Sequence, residues 1–221
     1  MDEPIINELL LSGLKLKTQP HLDGGGALFF PSLHTAILES GKANYEHGLE
    51  WCSGAGRMGF ELLGFEICNH FTFMDAYATA IERVKETVNS NRLIDKVDSF
   101  VTDSILDINI PYKWDLVIGN PPHSFNLQET LESMTGRPQE EITNTCRILV
   151  DDQMKSHWNF FNNIRPMLTD DADLFIIEHD ISKDRDFRKM GELNSLEVIA
   201  TYPCLWGERD MGHQIYHYKA A

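Results

Sequence analysis

Four consecutive residues, Asn120-Pro121-Pro122-His123, carry the most specific chemistry in this 221-residue chain. They follow the apolar strip Asp115-Leu116-Val117-Ile118-Gly119, whose residues 115–118 read as a strand. Two prolines fix the backbone and remove two N–H donors. What remains is a rigid corner offering carbonyl oxygens and the Asn120 amide. An amine or amide N–H can donate to the Asn120 side-chain oxygen and to the Pro121 carbonyl, which pins the nitrogen in line with an electrophile. Catalysis at such a corner is mostly orientation and charge stabilisation, so no strong base is required. His123 adds an imidazole that can stack on a planar acceptor, hydrogen bond or titrate near neutrality. Phe125, two residues on, can supply an apolar wall. Asn120, Pro121, Pro122 and His123 are therefore the candidate catalytic residues.

Three further features describe a nucleoside pocket. The first is Glu50-Trp51-Cys52-Ser53-Gly54-Ala55-Gly56, placed between an apolar strand and a helix. Its glycines permit a tight turn and a close backbone approach to a ligand. The second is Asp75, directly after Phe71-Thr72-Phe73-Met74; a carboxylate there can accept both ribose hydroxyls. The third is Asp103, after Ser99-Phe100-Val101-Thr102, where a carboxylate can take a hydrogen bond from an adenine amino group. Either Asp alone reads as a cap or turn residue. In succession after successive strands they describe one pocket. Gly54-x-Gly56-x-x-Gly59 also fits a dinucleotide fingerprint, and the corner at Asn120 argues against that alternative.

The elements that must position these groups alternate along the chain. Strands are predicted at 48–52, 71–74, 97–102, 115–118 and 174–177, with 196–202 and 214–218 closing the sheet. Helices are predicted at 56–63, at 77–91 with Ala80, Ile81, Val84 and Val88 along one face, and at 154–168 with Trp158, Phe161, Ile164 and Leu168 inward. Such alternation implies a mainly parallel sheet with helices on both faces, which binds ligands beyond the carboxyl ends of its strands. Residues 1–47 read as an N-terminal extension. In it, 4–14 have helical periodicity, Gly24-Gly25-Gly26 is a loop, and a second helix starts at Pro31 and stops near Gly41. Residues 124–151 read as an insertion or lid, or as an ordinary surface excursion.

Glu50-x-Cys52-x-Gly54-x-Gly56, Asp75, Asp103 and Asn120-Pro121-Pro122-His123 together resemble the successive motifs of class I S-adenosylmethionine (SAM)-dependent methyltransferases. The resemblance covers roughly residues 48–124. It implies a Rossmann-like seven-stranded sheet with an antiparallel last strand, forming a domain over 48–221 with the extension folded over its active site. It implies SAM as cofactor, with Glu50 near the methionine amino group, Gly54 and Gly56 beneath it, Asp75 and Ala76 at the ribose, and Asp103 and Ser104 at the adenine. Cys52 stands where the family usually has glycine. The tetrapeptide is similar to the N-P-P-Y or N-P-P-F motif of nitrogen methyltransferases, which include release-factor glutamine, adenine-N6 and ribosomal RNA guanine-N2 enzymes. Their aromatic residue is His123 here, and substrate preference is expected to turn on that departure.

Bulk properties bound the acceptor. The formal net charge is −15, and an acidic chain repels a phosphate backbone. This favours a small molecule or protein side chain over nucleic acid, with a base N-methyltransferase as the runner-up and a catalytically silent SAM-binding module as a third reading. A basic face near Arg137, Arg147, Lys155 and Arg165 would favour the runner-up. No apolar run suggests a membrane span, and the acidic Met1-Asp2-Glu3-Pro4 start does not resemble a signal peptide, so a soluble, cytoplasmic protein is expected. The four cysteines form no C-x-x-C pair. Of the nine histidines, His213 and His217 share a strand face and His179 sits beside Glu178 and Asp180 at the ligand-bearing edge. No metal is expected. Glu178, His179, His123, Phe125 and Phe29 are the candidate substrate contacts.

Overall fold

The computed structural model describes residues 7–19, 22, 25–42, 44–179 and 184–220. Seven strands form the central sheet: β3 (Tyr45–Trp51), β4 (Cys68–Asp75), β5 (Val97–Val101), β6 (Trp114–Gly119), β7 (Leu168–Glu178), β8 (Leu196–Trp206) and β9 (Arg209–Ala220). Their order is β5-β4-β3-β6-β7-β9-β8. All neighbouring pairs through β7 are parallel, and β9 runs antiparallel to both β7 and β8. The antiparallel strand thus sits one place inside the edge. This is the Rossmann-like methyltransferase architecture that the motifs imply.

Helices cover both faces. α1 (Gly26–Glu39), α2 (Arg57–Gly64) and α3 (Ala78–Asn91) pack on one face, where Leu33, Met58, Phe60, Ile81 and Val84 meet Phe71, Phe73, Leu116 and Phe175. α6 (Lys155–Ile164) and α7 (Asp184–Leu193) cover the other, where Phe160, Phe161, Phe187 and Met190 meet Leu49, Trp114, Leu174 and Tyr216. Every residue of β6 is buried, as expected of a central parallel strand with apolar side chains on both faces. Trp158 is only partly buried at the rim of that core, whereas Phe161, Ile164 and Leu168 lie inside it.

The N-terminal part differs from expectation. The helical reading of 4–14 is replaced by a hairpin of β1 (Asn7–Leu11) and β2 (Leu14–Thr18), in register from Leu11↔Leu14 to Asn7↔Thr18; residues 4–6 lie outside the described residues. Leu9, Leu11 and Leu14 pack against the α1–α3 side of the core, so tertiary burial overrides the helical spacing. α1 begins at Gly26, not Pro31, and runs through the proline. Phe29, Phe30 and Leu33, all buried, anchor the helix on both sides of it. Gly25 supplies the left-handed entry, φ 93°. β3 starts three residues before the expected boundary at 48, and β8 and β9 are longer than expected. Residues 124–151 are largely helical, as α4 (Leu127–Ser133) and α5 (Gln139–Leu149).

Candidate functional site

The carboxyl ends of the parallel strands bring the predicted groups to one edge. After β3, Cys52 and Gly54 both take left-handed backbone conformations, φ 55° and 53°. A Cβ on Gly54 would lie 2.1 Å from the Leu22 carbonyl oxygen, a backbone atom, so only glycine fits there. Cys52 adopts the conformation that glycine favours, so the loop keeps its contour at a cost of about 1–2 kcal/mol. Its thiol is pushed well above the ordinary cysteine range by burial, then by the nearby Asp75, Asp151 and Glu178 charges.

Asp75, ending β4, locks this loop. Its Oδ2 accepts from Gly54 N and its Oδ1 from Tyr77 N, each at 2.8 Å. Burial raises the Asp75 carboxyl above its ordinary range, against those two N–H bonds. Glu50 Oε2 accepts from Gly59 N at 2.8 Å, and a Cβ on Gly59 would meet that oxygen at 2.7 Å. Gly59 therefore serves the close contact of α2 with β3.

A cavity of about 270 Å³ opens above the loop. Glu50, Cys52, Gly54, Asp75, Ala76, Asp103 and Asn120 line it, as does Pro122. Two expected cofactor residues do not. Gly56 is turned to the core, with Phe73 and Phe60 where its Cβ would be, and Ser104 caps a short 3-10 turn by accepting from Leu106 N. The lining also holds residues that sequence reasoning missed: Leu22, Arg57, Tyr77 and, from the end of α5, Arg147 and Ile148. The Arg147 guanidinium lies over the Tyr77 ring, 3.8 Å from its centroid, which ties α5 across the cavity mouth.

The corner after β6 separates this cavity from a second, broader one of about 970 Å³. The second is lined by His123, Phe125 and His179 together with α4 residues such as Glu129 and Ser133. His123 Nε2 lies 2.9 Å from Asn120 Oδ1. The rings of His123, His179 and His213 cluster, with centroids 5.2 Å apart for His123–His213 and 4.4 Å for His179–His213. Phe29 lines neither cavity and packs on His213 at 4.6 Å. Glu178 also lines neither. It is buried, and its Oε1 lies 3.0 Å from His157 Nε2. His157 Nδ1 lies 2.5 Å from Asp151 Oδ2. Burial alone would depress the His157 imidazole, yet the Glu178 and Asp151 carboxylates outweigh it and push it up to about 9. Both carboxyls are in turn held below their ordinary range, the imidazolium overcoming their burial.

His217 takes no part. It is stacked on Phe175 and lies 2.6 Å from Asp173 inside the core. No group of three or more side chains that could hold a metal ion occurs among the described residues. Asp180 lies outside them.

The methyltransferase small domain family matches residues 17–144, more than half of the chain. The chain belongs to this family. A search of the curated proteins by sequence finds no match. Among solved structures, the chain is similar to the hMettl16 catalytic domain in complex with a MAT2A 3′UTR hairpin, at 13% identity, TM-score 0.69, 94% of this chain and 75% of that one. It is also similar to the ribosomal protein L11 methylase of Lactobacillus delbrueckii subsp. bulgaricus, at 10% identity, TM-score 0.59, 87% of this chain and 78% of that one. A third likeness is to the N-methyltransferase NodS of Bradyrhizobium japonicum, at 16% identity, TM-score 0.52, 87% of this chain and 96% of that one. At these identities the likeness shows the fold. The methyltransferase small domain match ends at residue 144, so Asp151, His157, Glu178 and His213 all lie beyond it. No helix among the described residues is long and apolar enough to cross a membrane.

Proposed function

We propose that this methyltransferase-family chain transfers a methyl group from SAM to a nitrogen of a small molecule or protein side chain. One observation carries the reading: the Asn120 corner forms the wall between two cavities, with Asn120 and Pro122 facing the first and His123 the second.

The first cavity fits a nucleoside with a charged amino-acid tail. The Asp75 and Asp103 carboxylates can accept hydroxyl and amino hydrogens, the Glu50 carboxylate suits an ammonium, and Leu22, Met74 and Ile148 offer apolar walls for a flat base. SAM, when bound, supplies an electrophilic methyl on a positively charged sulfur. The chain's own residues do the rest. Asn120 and the Pro121 carbonyl hold the acceptor's N–H hydrogens and aim its lone pair into the first cavity, which Asn120 lines. Leu22 and Gly26 from the N-terminal extension and Arg147, Ile148 and Val150 from the 124–151 segment line the cavity, so parts of both segments act as its cover.

A base in a nucleic acid is the second reading, favoured by the RNA-bound neighbour, and would require extrusion of that base into the same corner. The disposition of the basic residues supports the first reading instead. Arg137 pairs with Glu141, Lys155 with Asp152 and Arg165 with Asp170, while Arg147 is spent on Tyr77. Three of the four therefore have acidic partners, and the charge of Arg147 is directed at the first cavity, which it lines, so little of this set is left for a phosphate backbone. Titration calorimetry with SAM and with its demethylated product tests the cofactor. Tight binding of both supports the cofactor, no binding of either removes it, and binding without methyl transfer to any acceptor leaves the silent SAM-binding module in the enzyme's place.

A further inference from the structure

Asn120 Oδ1 can only accept, so His123 Nε2, 2.9 Å away, carries the hydrogen and donates it. Both the neutral Nε2–H tautomer and the imidazolium supply that hydrogen, so the bond needs no particular charge state. The other ring nitrogen, Nδ1, faces Glu178 Oε2 at 3.7 Å, beyond hydrogen-bond length. Both nitrogens are thus turned to protein oxygens. The backbone of this segment is pinned to the end of α5: Ser124 N donates to Leu149 O at 2.6 Å, and Ser124 O accepts from Asp151 N at 2.8 Å. The His213 ring meets the His123 ring edge-on, with centroids 5.2 Å apart, and Phe29 of α1 packs on His213 at 4.6 Å. His213 Nδ1 donates to the Met211 carbonyl at 2.9 Å, which fixes that ring in turn.

We propose that His123 is a positioning residue: its Nε2–H, on a ring braced by His213 and Phe29, holds the Asn120 amide with the oxygen at the corner. The N–H of the methyl acceptor takes the second lone pair of that oxygen. This role rests on the methyltransferase reading. An unrestrained asparagine amide turns about its last torsion and exchanges its oxygen for its NH2 group at nearly the same place. At this corner the exchange would set a donor against the acceptor's own N–H. A phenylalanine in place of His123 has no hydrogen to give, so it can stack on a planar acceptor but cannot choose between the two amide orientations.

NMR of the cofactor-free protein, with histidine and asparagine labelled in nitrogen, reads this hydrogen bond without any acceptor. The wild type should show His123 with its hydrogen on Nε2, and Asn120→Ala should shift that signal. His123→Phe should shift the Asn120 side-chain amide signal. His123→Gln, whose amide N–H can reach the same oxygen, should bring it back. A His123 with the hydrogen on Nδ1 and a bare Nε2 overturns the proposal, because the Asn120 amide nitrogen would then be the donor. His213→Ala should broaden the His123 Nε2–H signal; an unchanged signal removes the brace.

Label transfer from methyl-tritiated SAM to a glutamine peptide, a lysine peptide and a hairpin RNA adds the kinetic reading. On a labelled probe, His123→Phe should lower kcat about tenfold, the worth of one hydrogen bond, and His123→Gln should recover it to within about threefold of wild type. SAM affinity in calorimetry should be the same in all three proteins. Wild-type kcat in His123→Phe, or an equal loss in both variants, overturns the positioning role. No SAM binding, or SAM binding with no label on any probe, counts instead against the methyltransferase reading beneath the proposal, and the NMR signature decides the hydrogen bond in either case.

Discussion

Glu178 and His157 sit 3.0 Å apart with neither exposed to solvent, joining β7 to α6 directly beneath the Asn120 corner. Their ion pair sets the pH range in which this edge of the sheet is sound. The folded-state value of His157 is raised to about 9, above its ordinary value, so its stabilisation is complete below pH ~6.5 and is lost as pH rises through about 9. Asp151 and Glu178 are shifted downward, so their stabilisation is present above the ordinary carboxylate range and is lost as pH falls below it. Urea midpoints measured from pH 4 to 10 should fall on both sides of a plateau near pH 5–6.5.

Replacing His157 with Leu leaves two buried carboxylates facing each other. The expected cost is about 3–5 kcal/mol, with the alkaline decline of the urea midpoint abolished. A variant that keeps the alkaline decline would place the titrating group elsewhere.

Asp75→Ala should weaken SAM binding at least tenfold in calorimetry, since it removes both the proposed ribose acceptor and the lock on Gly54 and Tyr77. Because burial holds the Asp75 carboxyl above its ordinary range, wild-type affinity should fall as pH drops through values above those of an exposed aspartate. Asn120→Ala should leave cofactor affinity nearly intact and collapse turnover. Full activity in that variant would remove the acceptor corner from the reaction.

Two substitutions in the β3 loop should differ in cost. Gly54→Ala drives a methyl into the Leu22 carbonyl and holds alanine at φ 53°; a loss of about 1–3 kcal/mol and of SAM affinity is expected. Cys52→Gly relieves a left-handed backbone and removes some packing, so melting should show a stability change of less than ~1 kcal/mol with affinity retained. Thiol reagents should react slowly with Cys52 in the folded protein, because its burial suppresses the thiolate.

The sheet and its ligand-bearing edge were legible because the relevant strands are short apolar runs ended by Asp or Asn, as at Asp75 and Asn120. The hairpin was not, since Leu9, Leu11, Leu14 and Leu16 suit a helix spacing as well as two strands. The missed signal was Ser12-Gly13, a turn dipeptide whose residues adopt φ 49° and 84°. Glu178, a candidate substrate contact, lies at the end of β7 but is buried, lines neither cavity and has its Oε2 3.7 Å from His123 Nδ1. His157 had no local signature at all: its partner Glu178 is 21 residues away, and only packing of α6 on β7 joins them. Arg147, a candidate for a basic face, lies instead over the Tyr77 ring, a contact that no local sequence pattern announces.

The partition made by Asn120, Pro122 and His123 has a kinetic consequence. One hollow opens on one side of it and one on the other, so the two reactants of the proposed transfer have separate doorways. Neither arrival obstructs the other. The ternary complex should then assemble in random order, and each spent product should leave by its own door without waiting for its counterpart.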